Sequence, residues 1–473
     1  MAVKRISISN ESNYQELKKD RVIAQGWGDT DWSTLTPDNL QSYIEETNKD
    51  KDKKDPSNAV HYFVKDVRPG DIIVGFAGRT CMGICEIPEN LERIHNEKES
   101  YGWAGSGSNC IGYVDWVDWS EISDDKIFLN FTPSTAGQGV PGVTNYIEDA
   151  DKVKILWNNY KGKKMIEELK NLLTKVYNLV LTGAPGTGKT HLAREIAEKI
   201  VGQNNTDEYI RTVQFHPSYD YTDFVEGLRP CYVKAKNDKQ DQDSKQEIGF
   251  ELKKGTFLDF CEKAAIDKQQ NKDKANKYVF IIDEINRGEI SKIFGEIFAA
   301  IEPGYRGNTK QKFQTQYANM HNDSNEFKDS PFKGGFYVPD NLYIIGTMND
   351  IDRSVESFDF ALRRRFTWME ITAESQAIVM WTANELLSRG FDLGKLQNRM
   401  NNLNKKIEEI PGLSKDYHIG PAYFSKLKDY HTNEAYDKLW KNHLEPLLKE
   451  YLRGMENIDT NIGILKEAYN NEN

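Results

Sequence analysis

Three apolar runs along the chain each end abruptly in glycine or polar residues: Leu179-Val180-Leu181, Tyr278-Val279-Phe280-Ile281-Ile282 and Leu342-Tyr343-Ile344-Ile345. Short apolar runs without alternation suit strands buried on both faces. After the first run, Leu192, Ile196 and Ile200 fall on one stripe and predict a helix over Thr190 to Ile200. A stretch rich in Lys, Leu and Ile over about 161–176 predicts a helix leading into that run. Strands alternating with helices predict an α/β fold, a parallel sheet with helices on both faces. From about Thr367 onward the pattern becomes mostly helical.

The first 150 or so residues follow another pattern. Val22-Ile23-Ala24-Gln25, Asp71 to Phe76 after the turn Arg68-Pro69-Gly70, and Met82 to Ile87 read as short strands. Cys110 to Val117 alternates at period two, and Pro37–Glu46 reads as a helix. Short strands with Gly and Pro punctuation predict a small α+β barrel. The run 48–56 is a mixed-charge loop, Val233 to Glu247 a polar surface insertion and Tyr305 to Gly335 a second long insertion. The expected domains are 1–155, 156–370 and 371–473.

Length and composition then narrow the class. At 473 residues, the chain has room for two to four domains of about 100–200 residues. Its apolar fraction of 38% and charged fraction of 29% describe a soluble globular chain. No apolar stretch approaches the ~18 residues of a membrane span, and the N-terminus lacks a signal-peptide core. Five cysteines (Cys81, Cys85, Cys110, Cys231, Cys261) show no paired metal-ligand spacing, so reduced thiols in a cytoplasmic protein are expected. The net charge of −11 argues against a surface coated in nucleic acid, while leaving room for a local basic groove.

The chemistry concentrates where the apolar runs end. Gly183-Ala184-Pro185-Gly186-Thr187-Gly188-Lys189-Thr190 follows the first run and opens the first helix. Its glycines let backbone N–H groups curl around phosphate oxygens at a helix N-terminus. Lys189 can reach β- and γ-phosphates, and the Thr190 hydroxyl is placed for Mg²⁺. The second run ends in Asp283-Glu284; the first acid suits the Mg²⁺ shell and the second suits activating water. Asn349, after the third run, would position that water between the acids and the γ-phosphate. Arg363-Arg364-Arg365 falls at a helix end. One of them, Arg364 first and Arg363 second, reads as a finger completing a neighbour's site and stabilising transition-state charge.

These elements together resemble the AAA+ superfamily, and within it the McrB branch, motor subunits of modification-dependent restriction systems. The resemblance extends through Gln214 to Pro230, Asp283 to Glu296, Gly346 to Ser354 and His418 to Phe424. Asp350-Ile351 stands where the family usually has Thr-Ala, and Pro421-Ala422 where His-Ser is common. The resemblance implies an AAA+ P-loop core with a helical lid and a homo-oligomeric ring, usually a hexamer. It also implies Mg²⁺-dependent hydrolysis of GTP, with ATP the alternative, and a McrC-like nuclease partner. The phosphate loop does not touch the base, so GTP comes from the resemblance alone. A rival reading is an ATP-dependent AAA+ remodeller of proteins with the front domain as adaptor.

The front segment resembles the PUA-like group, including EVE modules, through Ile23 to Gly28, Arg68 to Val74 and Gly83-Ile84-Cys85. That resemblance implies a reader of modified double-stranded DNA, in which a pocket holds a flipped base by aromatic stacking. Trp27, Trp32, Tyr101, Trp103, Trp116 and Trp119 supply the aromatics, most of them expected in the core or an interface; Trp27 with Asp29, and Trp103, are the pocket candidates. No nuclease constellation is evident, so DNA cleavage is expected from a separate subunit.

Overall fold

In the computed structural model the chain forms two units, Met1–Lys161 and Gly162–Asn473. The structure describes residues 3–8, 10–26, 42, 67–77, 80–91, 93–96, 109–124, 150–202, 206–234, 246–351, 360–431 and 434–472. Helix Ala150–Val176 runs across the division, longer than the 161–176 segment its sequence predicts.

The first unit contains two small sheets. One has the order β1 (Val3–Ser7), β3 (Ile72–Ala77), β4 (Thr80–Glu86), β7 (Val117–Asp118); the other has β2 (Val22–Gly26), β6 (Asn109–Tyr113), β5 (Arg93–Asn96). The alternating stretch Cys110 to Val117 is therefore not one strand. Its β6 pairing ends at Tyr113, Val114 still donates to the Arg21 carbonyl on the β2 side, and the chain enters the other sheet at Val117. Trp119 is 1% exposed in the core with Ile72, Val74, Ile84 and Trp157. Trp116 is also buried and satisfies its indole N–H on the Val22 carbonyl at 2.7 Å. Both meet the expectation that most front-domain aromatics fill space. Trp27, Asp29, Trp32, Tyr101, Trp103, nearly all of Pro37–Glu46 and the loop 48–56 lie outside the described residues.

The second unit is built on a five-stranded sheet of order β14 (Thr367–Glu370), β8 (Asn178–Thr182), β13 (Leu342–Thr347), β12 (Tyr278–Asp283), β9 (Ile210–Gln214), with every pairing parallel. Side chains from one strand enter two cores. Val180, Phe280, Ile282 and Ile344 face one apolar cluster, while Leu179, Leu181, Val279, Ile281 and Ile345 face the other. That two-sided burial is why the strands read as unbroken apolar runs. β14 departs from the helical reading after Thr367. It is a four-residue edge strand with no fully buried side chain, so it carries no apolar run to reveal it.

Val233 and Lys234 belong to β10 (Glu226–Lys234), and Gln246 and Glu247 to β11 (Gln246–Lys254), so the polar segment joins two antiparallel strands; 235–245 are outside the described residues. The Tyr305–Gly335 insertion packs into the core through Phe327 and Phe332. Its buried His321 meets the buried Glu226 carboxylate at 2.7 Å. Arg306 is a buried node: it donates to the carbonyls of Ile301 and Leu342 and to Asn178 Oδ1. Asn178 in turn donates to the carbonyls of Ile301 and Arg365, so the starts of β8 and β13 share one polar junction with the arginine helix. Burial pulls the Arg306 guanidinium down to about 10.

The C-terminal helices, chiefly Ala377–Ala383, Leu393–Glu408, Glu445–Tyr451 and Ile458–Asn470, enclose Trp381, Met400, Leu403, Phe424, Trp440 and Leu465. Leu393, Leu396, Arg399, Met400, Leu403 and Ile407 form the buried stripe of the second helix, spaced by three and four residues.

Candidate nucleotide site

Parallel strands bring their C-terminal ends to one edge of the sheet, where ligands of such folds bind. The ends of β8, β12 and β13 supply the phosphate loop, the two acids and Asn349 respectively. Helix Lys189–Val201 starts directly after Gly188, so its free N–H groups open onto the loop.

The loop glycines answer to their neighbours as well as to backbone conformation. Gly183, Gly186 and Gly188 have φ of 142°, 76° and 91°, a region that favours glycine. A Cβ on Gly183 would meet the Ile371 carbonyl oxygen at 2.3 Å, and one on Gly186 the Tyr423 ring at 3.0 Å. On Gly188 it would meet Met380 Cε at 2.8 Å. Lys189 is 6% exposed and donates to the carbonyls of Gly183 (3.0 Å) and Ala184 (2.8 Å). Thr187, fully buried, donates to the Ala184 carbonyl at 3.1 Å.

Thr190 ties the first acid to the loop, and Thr347 and Asn349 hold the acids from the end of β13. Thr190 donates to Asp283 Oδ1 at 2.8 Å, and Thr347 donates to the same oxygen at 2.5 Å. The Thr347 hydroxyl also accepts the Glu284 backbone N–H at 3.2 Å, so one hydroxyl orients both acids. Glu284 sits at φ 52°, ψ 49°, the left-handed region that costs a non-glycine residue about 1 kcal/mol or more. That turn sends its carboxylate to Asn349, whose amide donates to Oε1 at 2.7 Å. Arg287 lies 3.4 Å from Oε2. Asn286 is buried and donates to the Asn349 carbonyl at 3.3 Å, holding the backbone that carries the amide.

A hydroxyl and a carboxylate oxygen converging at Thr190 and Asp283 fit a hard cation that takes its remaining ligands from phosphate and water. Among the described residues no group of three His, Cys, Asp or Glu forms a protein-only metal site, and a metal shared with phosphates needs none.

The lid closes on the loop through backbone. Gly420 donates to the Pro185 carbonyl at 3.2 Å and Ala422 to the Gly186 carbonyl at 3.0 Å. A Cβ on Gly420 would lie 2.2 Å from the Gly186 carbonyl carbon. Pro421 starts the short turn Pro421–Phe424, and its carbonyl accepts the Trp381 indole N–H at 2.9 Å. Sequence reading passed over Gly420 and Tyr423 as contacts of the loop. It likewise missed Thr347, whose signal was a lone hydroxyl at the end of an apolar run.

The three arginines diverge. Arg365 is 8% exposed at its side chain, pairs with Glu302 at 2.9 Å and lies over Phe298 at 4.4 Å. Arg363 and Arg364 are exposed. Arg363 rests over Trp368 at 5.4 Å, and Arg364 reaches Glu302 at 3.4 Å from a side chain 70% exposed. Helix Phe360–Arg365 thus has one anchored arginine and two that face outward.

Comparison with known proteins follows the same division of the chain. Residues 178–366 match the AAA domain of the dynein-related subfamily, and 395–459 match the McrB alpha-helical lid domain. Residues 3–104 match a domain of unknown function, DUF8426. The chain is 35% identical over 338 residues to the type IV methyl-directed restriction enzyme EcoKMcrB subunit of Escherichia coli (strain K12), covering 70% of this chain and 64% of that protein. It is 29% identical over 292 residues to the type II restriction enzyme BsuMI component YdiS of Bacillus subtilis (strain 168), covering 58% of this chain and 78% of that one. The chain therefore spans a little under two thirds of the E. coli relative. A Saccharomyces cerevisiae Hsp104–ADP complex aligns at TM-score 0.25 and 16% identity, over 65% of this chain and 37% of its own. The second unit is an AAA+ α/β P-loop core with an McrB-type helical lid. No helix among the described residues is long and apolar enough to cross a membrane.

Proposed function

We propose that the chain is the nucleotide-hydrolysing motor and DNA-recognition subunit of a McrBC-like modification-dependent restriction system. The observation that carries this reading is the convergence of Lys189, Thr190, Asp283, Glu284 and Asn349 at one sheet edge beneath an McrB-type lid. The similarity to two restriction components supports the setting.

In this reading the loop amides of Gly183 to Thr190 and the N-terminus of helix Lys189–Val201 bind the phosphates, with Lys189 turning from the loop carbonyls to the β- and γ-oxygens. Thr190 and Asp283 would hold Mg²⁺, which would supply charge neutralisation for the phosphates. Glu284 accepts the proton of the attacking water, and the Asn349 amide fixes the carboxylate and the water against each other. Arg364 or Arg363 of a neighbouring subunit enters from outside and stabilises charge developing on the γ-phosphate. Exposure of both favours either over Arg365, whose side chain is buried between Glu302 and Phe298. An arginine supplied in trans requires a ring, with six members as the family resemblance implies. GTP is the nucleotide of choice on that resemblance, with ATP the alternative; a separate McrC-like nuclease would cut DNA.

The front unit would read modified double-stranded DNA as a PUA-like module, with Trp27, Asp29 and Trp103 as the pocket candidates. Hydrolysis of GTP and of ATP, each with and without methylated duplex, tests the assignment. GTP turnover raised by methylated DNA is expected. ATP turnover indifferent to DNA and coupled to a protein substrate would favour the remodeller reading instead.

A further inference from the structure

Asp350 occupies the seam between loop, sheet and lid. Its backbone N–H donates to the Gly183 carbonyl at 3.3 Å, placing it at the mouth of the phosphate loop. Its half-buried carboxyl faces Lys189 from the loop helix, Asp416 and Lys415 from the lid turn, and Glu370 at the end of β14. Lys415 and Glu370 already pair with each other at 2.7 Å. Asp416 accepts from the Ser414 hydroxyl at 2.9 Å and brings no cation of its own from that contact. The seam therefore sets the Asp350 carboxyl between a second acid, Asp416, and the Lys189 ammonium, while Lys189 rests on the carbonyls of Gly183 and Ala184.

Bound phosphates change that balance in one direction. A nucleotide draws the Lys189 ammonium toward its own oxygens and adds several negative charges beside the seam. The Asp350 carboxylate then loses its counter-charge and gains like-charged neighbours, and both changes favour its neutral form. We propose that Asp350 is a positioning residue that sets nucleotide affinity by taking up one proton as the phosphates arrive, so that binding at this loop consumes a proton. Desolvation first, and then the Asp416 carboxylate, already hold this carboxyl at about 6 before any phosphate is present. The step balances as one proton moving from solvent buffer to an Asp350 carboxylate oxygen per nucleotide bound. This inference rests on the reading of the loop as the nucleotide site.

Calorimetric titration of the full chain with a non-hydrolysable GTP analogue and Mg²⁺, in buffers of different ionisation enthalpy, counts the protons. Near pH 7 the wild type is expected to take up close to one proton per analogue bound. Its affinity should fall by up to about tenfold per pH unit between pH 6.5 and 8. Asp350→Asn should take up none and bind with an affinity flat across that range. Asp416→Asn, which removes the crowding acid, should lower the uptake near pH 7 while leaving some pH dependence. Equal proton uptake in wild type and Asp350→Asn overturns the proposal, as does binding by the wild type without uptake. No binding of either GTP or ATP analogue by the wild type would instead overturn the reading of the nucleotide site.

Discussion

The Asn349 amide donates to Glu284 Oε1 at 2.7 Å across 65 residues of sequence, joining the ends of two neighbouring parallel strands. The bond fixes the direction of the carboxylate that the proposed mechanism uses as base. Glu284→Gln should keep nucleotide binding within a few-fold and lower turnover by at least about 100-fold, the scale of general-base catalysis. Asn349→Ala should lower kcat with less effect on KM. Steady-state hydrolysis together with equilibrium binding checks both, and normal turnover in Glu284→Gln would remove that residue from its role.

Thr347→Val deletes the hydroxyl that donates to Asp283 and accepts from the Glu284 N–H. The variant keeps the shape of the side chain but removes one bond from the half-buried Glu284 N–H and one of the two hydroxyl bonds to Asp283 Oδ1. A rise in the Mg²⁺ concentration needed for half-maximal hydrolysis is expected, with the melting temperature lowered by a few degrees, as suits a loss of about 1 kcal/mol. An unchanged Mg²⁺ requirement would show that Thr347 does not position Asp283.

Gly420→Ala places a methyl where the Gly186 carbonyl carbon would be 2.2 Å away. Backbone stands on both sides of that contact, so relief requires the lid to shift. Lost nucleotide affinity is expected, together with faster proteolysis between core and lid. Thermal stability should fall by about 1–3 kcal/mol, the range for overpacked sites. A variant with wild-type affinity would show that the lid docks on the loop less tightly in solution.

Subunit mixing tests the outward arginines. An Arg364→Ala chain lacks the finger but keeps its own loop, whereas a Lys189→Ala chain lacks phosphate binding but keeps the finger. Mixtures should regain hydrolysis that neither variant has alone. If Arg364→Ala by itself turns over normally, the same experiment on Arg363→Ala decides between the two.

Asp350 also makes stability depend on pH. A carboxyl held at about 6 in the folded chain keeps its proton longer than it does unfolded. Its favourable contribution is therefore complete below the ordinary carboxylate range and is lost as pH rises toward 6. Asp350→Asn should melt higher than the wild type at pH 8 and show no advantage at pH 4. The gain should be about 1–2 kcal/mol after discounting for a carboxyl only partly shielded from water. An advantage of the same size at both pH values would point to shape rather than charge.

Much of the core was legible because its chemistry sits where apolar runs stop. Asp283 and Glu284 end one run and Asn349 follows another, so counting along strands found them. Two-sided burial made the strands conspicuous, while the edge strand Thr367–Glu370 had no such run and stayed hidden. What depends on contacts between distant segments was not readable. Nothing near Gly420 announces that its missing Cβ admits the Gly186 backbone, and nothing near Arg306 announces that its guanidinium joins Asn178, Ile301 and Leu342. The run of three arginines reads as three equals, and only packing separates the anchored one from the outward pair.

That anchored arginine has a mechanical consequence. Arg365 is clasped by Glu302 and Phe298, which follow the strand-end acids in the chain, and its carbonyl accepts from Asn178 at the root of the strand that feeds the phosphate loop. The last residue of the helix that carries Arg363 and Arg364 is therefore tied to the same framework that carries the loop and the acids. Any tilt of that framework would carry the outward pair with it.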